Sequence, residues 1–502
     1  MKLSKLLAEA NIIPTESCED VDILGVCRDA SLVGMGMLYI AIEGLHADGH
    51  MFLGEAARRG ASAAVVARAA LSDGRVDADD LKISCVAVED TRIAAAYLFA
   101  AWNHNPQKQL RIVGVTGTNG KTTVSTLIYE ILRRSGARVG LIGTVGCQCS
   151  GNDLATIEGR ENAGMTTPDP EVLYDLLAKM RDASVDTVVM EVSSHALSLG
   201  RVAPICFDVA VFTNLTEDHL DLHGDMEHYY LAKASLMKQC RRAVVNLDDH
   251  YWRRLALEAE IPVSTCSAEG RDARFSAEDI REKGTLGIEY KISSRELSMR
   301  VRSPMPGRFN VMNTLEAAVT ARLLGVSVGE IRETLSCLTG AKGRLERVEI
   351  SEKVGFSVYI DYAHTPDALE NLLKTVRSFL RRGERLVLLF GCGGDRDKLK
   401  RPIMGKIATL MADYVILTAD NSRSEQPRDI IVDILRGVSE DASYTVIESR
   451  REAIEYAIRQ ARRGDLILLA GKGHEDYEID RDGKKPFCEK EIVRLAVEKY
   501  FG

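Results

Sequence analysis

The 502-residue sequence has no apolar run long enough to cross a bilayer, which excludes an ordinary membrane-spanning helix. Its first residues carry Lys2 and Lys5, but no sustained apolar stretch follows. Glu9 and Asn11 interrupt it, so no secretory signal is expected. Basic excess is missing too. Lys and Arg number 65 against 73 Asp and Glu, a net charge of −8, which argues against a general nucleic-acid binder but leaves room for a local basic pocket. Paired-cysteine patterning is also missing. The 11 cysteines are odd in number and scattered, and Cys147 and Cys149 have no second pair at zinc spacing. Reduced thiols in a cytoplasmic protein are therefore expected. There is no internal repeat and no low-complexity tract.

What is present is ordinary globular material, 45% hydrophobic and 27% charged. The length suggests about three domains. Short apolar runs alternate with helical stretches, so the expected fold is α/β. Residues 1–107 read as a smaller α/β domain with strands at Met37–Ile42, Ala63–Val66 and Ile83–Val88. The polar run from Asn103 to Lys108 reads as a linker. Residues 108–339 read as a mostly parallel sheet of the phosphate-loop type, with strands near Arg111–Val115, Val139–Ile142, Thr187–Met190, Val209–Phe212 and Ala243–Val245. An antiparallel excursion is expected between Ala268 and Pro304. Residues 340–502 read as a Rossmann-like domain with strands Leu386–Phe390, Tyr414–Leu417 and Leu466–Ala470. Each of these ends in a polar or glycine-rich cluster. In open parallel sheets ligands bind at the carboxyl ends of strands, so three such clusters predict one binding face.

The strongest local signal is Gly114-Val115-Thr116-Gly117-Thr118-Asn119-Gly120-Lys121-Thr122-Thr123, between a strand and a helix. Backbone N–H groups in such a loop converge on phosphate oxygens, and the helix N-terminus adds positive potential. Lys121 is expected to reach the β- and γ-phosphates and Thr122 to hold Mg2+. The strict pattern wants glycine where Val115 stands, so this is a variant. Glu191, after the Thr187–Met190 strand, is placed to serve a metal near the γ-phosphate. His219 and Asp221 again follow a strand.

The runs Gly117 to Thr122, Glu191 to Leu197 and Asn214 to His223 resemble the central domain of the Mur ligases, which build the peptide stem of bacterial peptidoglycan. The resemblance continues in Gly307–Asn313, Gly343–Arg347 and Asp361–Leu369, and covers nearly the whole chain in order. It implies an ATP-dependent amide ligase that works through an acyl phosphate, with the three segments binding the UDP substrate, ATP and the amino acid respectively. It implies ATP and Mg2+ as cofactors, a monomer, and no nucleic-acid or membrane partner.

The resemblance also implies residue roles. Gly117, Thr118, Asn119, Gly120, Lys121, Thr122 and Thr123 cradle the phosphates; Asn310 and Asn313 lie on the adenine side; Arg344, Asp361 and His364 complete the nucleotide site. Lys121, Glu191, His219 and Lys233 are the implied catalytic residues. Thr122, Glu191, His219 and Lys233 are the implied metal ligands, Lys233 as a carbamate, since carbamylation turns a cation into an anion. Without the resemblance, Lys233 reads as a solvated helix lysine. The implied UDP-substrate residues are Ser31, Gly44, Asp48 and its neighbours Gly49 and His50, then Thr166, Thr167, Ser194 and Arg201.

Within the family, Asp420-Asn421-Ser422-Arg423 is similar to the Asp-Asn-Pro-Arg motif of members that add meso-diaminopimelate to a UDP-N-acetylmuramoyl-dipeptide. A guanidinium there suits an amino acid with a second carboxylate, because it binds carboxylate in a planar fork. Arg396, Asp420, Asn421, Arg423, Gly471 and Glu475 are the implied amino-acid residues. Three departures stand out: Ser422 replaces the motif's proline, Asp29-Ala30-Ser31 stands where the family has Asp-Ser-Arg near the uridine, and Leu199 replaces a glutamine before Gly200-Arg201. L-Lysine or another diamino acid, a related acceptor, and an inactive nucleotide-binding paralogue remain alternatives.

Overall fold

The computed structural model describes residues 1–14, 19–44, 47–77, 81, 83–149, 165–218 and 220–502. They divide into two compact units. Met1–Thr116, Gly136–Val211 and Ala232–Ala243 form the first; Gly117–Ser135, Phe212–Leu231 and Val244–Gly502 form the second.

The first unit opens with four parallel strands in sequential order: β1 (Gly25–Cys27), β2 (Met37–Ile40), β3 (Ala63–Ala67) and β4 (Ser84–Val88). Tyr39, Ala41, Ala64 and Val66 pack with Leu53 and Ala56 from the helix Leu53–Arg58, so one face of this small sheet makes its own core. The unit continues with β5 (Arg111–Thr116), β6 (Val139–Gly143), β7 (Gly146–Cys149), β8 (Thr187–Glu191) and β9 (Val209–Phe212), in the spatial order β9-β5-β8-β6-β7. The pairs β5–β8 and β6–β8 are parallel, and β7 returns antiparallel to β6. These strands are buried almost throughout, which is why they read as continuous apolar runs without alternation. The run from Asn103 to Lys108 is not an open linker. Pro106–Lys108 form a 3-10 turn with Pro106 and Gln107 buried; proline presets φ for such a turn.

The second unit contains β10 (Ala243–Asn246), β11 (Val263–Ser267), β12 (Phe275–Glu282), β13 (Ile288–Ser293) and β14 (Met299–Ser303), in sequential order. β12, β13 and β14 are antiparallel, as the alternating pattern predicts. β13 alternates buried and half-buried residues, as a one-sided sheet must. A second sheet follows: β15 (Glu346–Arg347), β16 (Ser357–Asp361), β17 (Leu386–Phe390), β18 (Tyr414–Leu417), β19 (Tyr444–Val446) and β20 (Leu466–Ala470), in the order β15-β16-β20-β17-β18-β19. All its pairs except β15–β16 are parallel. Leu386, Leu388 and Phe390 face one core while Val387 and Leu389 face the other, so helices cover both sides. A hairpin of β21 (Tyr477–Asp480) and β22 (Gly483–Pro486) completes the sheets. Strand order reverses between β17 and β20, where Gly391–Asp397 and Gly471–Glu475 emerge; such switch points open a ligand crevice. No described helix is long and apolar enough to cross a membrane.

Candidate functional site

The phosphate loop takes the expected form for a backbone reason. Gly117 has φ 144° and Gly120 φ 87°. A Cβ at Gly117 would lie 1.9 Å from Thr213 Oγ1, and one at Gly120 would lie 2.7 Å from Asn313 Oδ1. Only glycine fits such turns. Val115, where the strict motif has glycine, is still inside β5 and pairs with Glu191 of β8, so the departure falls on a strand residue rather than on the turn.

The loop is held from the side by the segment after β9. Thr118 N donates to Asn214 O (2.7 Å), Asn119 N to Asn214 Oδ1 (2.9 Å), and Thr213 Oγ1 to Asn119 O (2.6 Å). Lys121 Nζ donates to the loop carbonyls of Gly117 (2.9 Å) and Thr118 (2.8 Å). The Thr122 hydroxyl accepts from Arg344 Nη2 at 3.1 Å. Asn119 Nδ2 donates to Asp367 Oδ2 at 2.9 Å.

A cavity of about 460 Å³ opens beside the loop. Asn119, Gly120, Thr123, Asn310, Asn313, Arg344 and Asp361 all line it. Asn313 Nδ2 donates to Asn310 Oδ1 (2.9 Å), and Asn310 Nδ2 to Pro306 O (2.7 Å). The Arg344 guanidinium lies 4.8 Å over the Tyr362 ring, a cation–π placement. Asp361 accepts from Leu345 N (2.6 Å) and Ala363 N (2.7 Å), and burial pushes its carboxyl up although Arg344 is near. His364 is not on the cavity wall. Its Nδ1–H donates to Tyr362 O at 2.9 Å, and burial together with the Lys400 charge lowers its pKa to about 4, so the imidazole is neutral at physiological pH.

In the first unit, Glu191 is buried at the carboxyl end of β8. Thr144 donates to both of its oxygens, from N at 2.9 Å and from Oγ1 at 3.0 Å. A Cβ at Gly143 would meet Glu191 Oε1 at 2.3 Å, so glycine lets β6 approach that carboxylate. Thr144 Oγ1 and Thr166 Oγ1 are 3.2 Å apart, and Thr167 Oγ1 donates to Glu191 O at 2.8 Å. Arg201 donates to Thr167 O (2.8 Å) and pairs with Asp169 (2.9 Å), which also pairs with Arg28. Ser194 is buried, and its hydroxyl has no hydrogen-bond partner among the described residues. Thr166, Thr167, Ser194, Arg201 and Glu191 thus belong to one neighbourhood.

A separate cavity of about 580 Å³ in the same unit is lined by Asp29, Ser31, Gly44, Gly49 and Glu171 among others. Asp48 and His50 are not among the described residues lining it. Ala67 N donates to His50 Nε2 (2.9 Å), so the ring proton sits on Nδ1 and donates to Asp48 Oδ1 (2.6 Å). His50 is a buried pin between two loops.

The third group gathers at the carboxyl ends of β17, β18 and β20. Asn421 Nδ2 donates to Glu475 Oε2 at 2.8 Å, and Asn421 Oδ1 accepts from Lys472 Nζ (2.9 Å) and Ile479 N (2.9 Å). Arg423, at φ 51°, donates through Nη1 to Gly394 O (2.7 Å). Around Gly393, a Cβ would lie 3.1 Å from Arg423 Nη1 and 3.6 Å from Arg396 Cγ, so the two arginines converge there. Gly471 sits at φ 111°, where a Cβ would be 2.5 Å from Asp420 Oδ2. Lys472 is fully buried, 3.6 Å from Asp420 and 3.8 Å from Glu475. Burial would raise Asp420, but Lys472 and Arg450 outweigh it and hold that carboxyl below its ordinary value. Burial, then the Asp420 charge, pushes the Glu475 carboxyl up.

Of the remaining expected residues, His219 lies outside the described residues. Lys233, on the helix Met226–Ala234, is buried and so is not a solvated helix lysine. Sequence reading missed Thr144, Thr213, Asp367 and Lys472. The available signals were Gly143-Thr144 at a strand end, the threonine directly after β9, an aspartate in the first turn of a Thr365-capped, Pro366-initiated helix, and a lysine inside a glycine-rich strand end.

Comparison with known proteins agrees with this geometry. The Mur ligase middle domain matches residues 115–321, and the Mur ligase, glutamate ligase domain matches residues 343–473. A UDP-N-acetylmuramoyl-L-alanyl-D-glutamate--2,6-diaminopimelate ligase of Clostridium tetani is 37% identical over 505 residues, covering 100% of each chain. The protein of the same name from Caldanaerobacter subterraneus subsp. tengcongensis is 40% identical over 478 residues, 95% of each. A solved structure of a UDP-N-acetylmuramoyl-L-alanyl-D-glutamate--2,6-diaminopimelate ligase superposes with a TM-score of 0.66 at 29% identity, over 99% of each chain. With two domain matches bracketing the phosphate loop and the arginine-bearing strand ends, and relatives aligned from end to end, the chain belongs to the Mur ligase family.

Proposed function

We propose that this chain is an ATP-dependent ligase that joins meso-2,6-diaminopimelate to UDP-N-acetylmuramoyl-L-alanyl-D-glutamate, in the cytoplasmic synthesis of peptidoglycan precursor. The observation that carries the amino-acid choice is the convergence of Arg396 and Arg423 beside Asn421 and Glu475 at the ends of adjacent parallel strands. Two guanidinium groups suit a distal carboxylate, and a buried acidic pair suits the neighbouring ammonium.

In this reading residues 1–107 serve the uridine end of the acceptor, residues 108–339 the ATP, and residues 340–502 the amino acid. The acceptor carboxylate attacks the γ-phosphorus, ADP leaves, and an acyl phosphate forms. The amine then attacks the acyl carbon, loses a proton, and phosphate departs from the tetrahedral intermediate to leave the amide.

The chain's residues position and neutralise. The Gly117–Gly120 backbone N–H groups cradle phosphate, and Lys121 exchanges its loop carbonyls for phosphate oxygens. Arg344, already bonded to Thr122, adds a guanidinium at the same place. Asn119 bonded to Asp367 holds the third segment against the phosphate loop and helps exclude water from the acyl phosphate. By donor chemistry alone, Thr122 and Glu191 are each suited to Mg2+, which takes hard oxygen donors, characteristically one or two carboxylates beside waters and phosphates. When bound, Mg2+ offsets charge on the transferring phosphoryl group. Lys233, buried as found, serves as a metal ligand once carbamylated, and His219 as another.

The test is phosphate release by purified protein with ATP, Mg2+ and UDP-N-acetylmuramoyl-L-alanyl-D-glutamate, in parallel with meso-diaminopimelate, L-lysine, L-ornithine or no amino acid. Turnover that needs diaminopimelate, with the matching tripeptide mass, is expected. Turnover with lysine alone discards the selectivity argument, and no turnover with any amine discards the acceptor.

A further inference from the structure

The helix Phe309–Leu323 turns Phe309, Met312, Asn313 and Glu316 toward the cavity beside the phosphate loop, at spacings of i, i+3, i+4 and i+7. Asn313 has a clear place there, against Gly120 and Asn310. Glu316 follows three residues on, about 4.5 Å along the helix axis, and is harder to account for. Its side chain is completely buried, and neither carboxyl oxygen has a hydrogen-bond partner among the described residues. The bond from Thr320 Oγ1 (2.7 Å) goes to its backbone carbonyl.

The surroundings do not explain a carboxyl. Asp248, the charged group that acts on it, is occupied by Ser267 Oγ (2.6 Å) and by the N–H of Ala268 (2.8 Å). The buried thiol of Cys266 is its other polar neighbour. Burial first, then the Asp248 charge, pushes Glu316 well above the usual carboxylate range, which favours the neutral acid. Leaving a buried polar group unpaired is costly, and an apolar side chain of the same shape would avoid that. A carboxyl that satisfies nothing within the protein, on the wall of a nucleotide-sized cavity, points to a partner in the cavity.

We propose that the Glu316 carboxyl reads the purine base of ATP, its carbonyl oxygen accepting from the exocyclic amine and its O–H donating to the adjacent ring nitrogen. The placement supports this: Asn313, on the adenine side, and Glu316 line the same cavity from one face of the helix. A carboxylate would present only lone pairs to that ring nitrogen, so burial keeps the acid in the form that offers both a donor and an acceptor. The inference rests on ATP occupying this cavity, but not on which acceptor or amine is joined.

The test is equilibrium binding to the full chain, without acceptor or amino acid. ATP is compared with purine riboside triphosphate, which lacks the exocyclic amine, in the wild type, Glu316→Leu and Glu316→Gln. Glu316→Leu is expected to weaken ATP about tenfold. Removing the amine should cost the wild type part of that factor and cost Glu316→Leu nothing more, because leucine has already deleted the contact to the amine. Glu316→Gln, which keeps a donor and an acceptor at the same reach, should recover most of the ATP affinity. Inorganic triphosphate should bind all three alike, showing that the phosphate loop is intact. Losses that add, or a Glu316→Leu protein that binds ATP as tightly as the wild type, overturn the proposal. A wild type that binds neither nucleotide overturns it together with the ATP reading. A protein that binds ATP with the expected non-additivity yet makes no amide would confine the failure to the acceptor or amine.

Discussion

Replacing Lys472 with methionine isolates one buried charge. The lysine is fully buried, donates to Asn421 Oδ1 and Tyr477 O at 2.9 Å each, and lies 3.6 Å from Asp420 and 3.8 Å from Glu475. Methionine keeps the stem volume, so the loss is mainly electrostatic. Breaking a buried ion pair by removing one partner costs about 3–5 kcal/mol. Asp420 retains Arg450 nearby, so the lower end, about 3 kcal/mol, is expected.

The deficit should depend on pH. Asp420 is held low, so its contribution is present above its unfolded pKa of about 3.9 and lost as pH falls through the folded value. Glu475 is raised, so its contribution runs the other way, present below about 4.3 and lost as pH rises through its folded value. Losing Lys472 raises both carboxyls, so the variant should lag the wild type more at pH 7 than at pH 5. In a chain of several units, a local readout is the sound one. Amide exchange of Leu466–Ala470 should accelerate about 100-fold at pH 7. A deficit under about 1 kcal/mol, or one equal at the two pH values, refutes the reasoning.

Gly120→Ala puts a Cβ 2.7 Å from Asn313 Oδ1 at φ 87°; with left-handed strain of about 1–2 kcal/mol, ATP should bind at least about tenfold more weakly by calorimetry. Arg423→Ala removes a fork for carboxylate and should raise the KM for diaminopimelate by about 10- to 100-fold with ATP affinity unchanged; equal losses of both would remove the assignment. Arg401 is fully buried against Glu425 (2.8 Å) and Asp433 (2.9 Å), and chiefly through hydrogen bonds from Arg401 it holds Glu425 at about 2. The stability Glu425 contributes is therefore present above about 4.3 and lost as pH falls toward 2; in Arg401→Met, amide exchange of the helix Lys400–Met411 followed across that range should lose that component.

Strand positions were legible because doubly covered parallel strands are short apolar runs that need no distant partner to be recognised: Leu386–Phe390, Tyr414–Leu417 and Leu466–Ala470 match residue for residue. The phosphate loop was legible because its glycines, lysine and threonines are adjacent in sequence between a strand and a helix. What escaped depends on partners far apart in sequence. Lys472 looks like any polar lysine until Asn421 and Asp420, on another strand end, fold against it. His50 looked like a ligand-facing residue, but its two nitrogens are claimed by Asp48 and by the Ala67 backbone. Pro106 and Gln107 looked like linker because burial of a polar turn leaves no periodic signal.

The three departures from the family pattern carry different weight. Ser422 stands where proline would stiffen the loop, yet the residues on either side are fixed independently of it. Asn421 makes three side-chain bonds, and Arg423 is tied by its own N–H to Ile479 O at 3.1 Å and by Nη1 to Gly394 O. A Cβ on Gly394 would meet Ser422 O at 1.9 Å, so the loop is packed too closely to swing. In the proposed reading, selectivity for a second carboxylate therefore rests on the arginines and not on the ring that is missing. Ala30 differs in kind, because it lines the 580 Å³ cavity beside Ser31, whose hydroxyl donates to Asp29 at 2.6 Å. A hydroxyl remains on that wall but one residue along and already engaged, so any change in acceptor preference should be sought there. Leu199 caps the helix Ser194–Ser198 through its backbone, N to His195 O at 2.9 Å, a role that any side chain can fill.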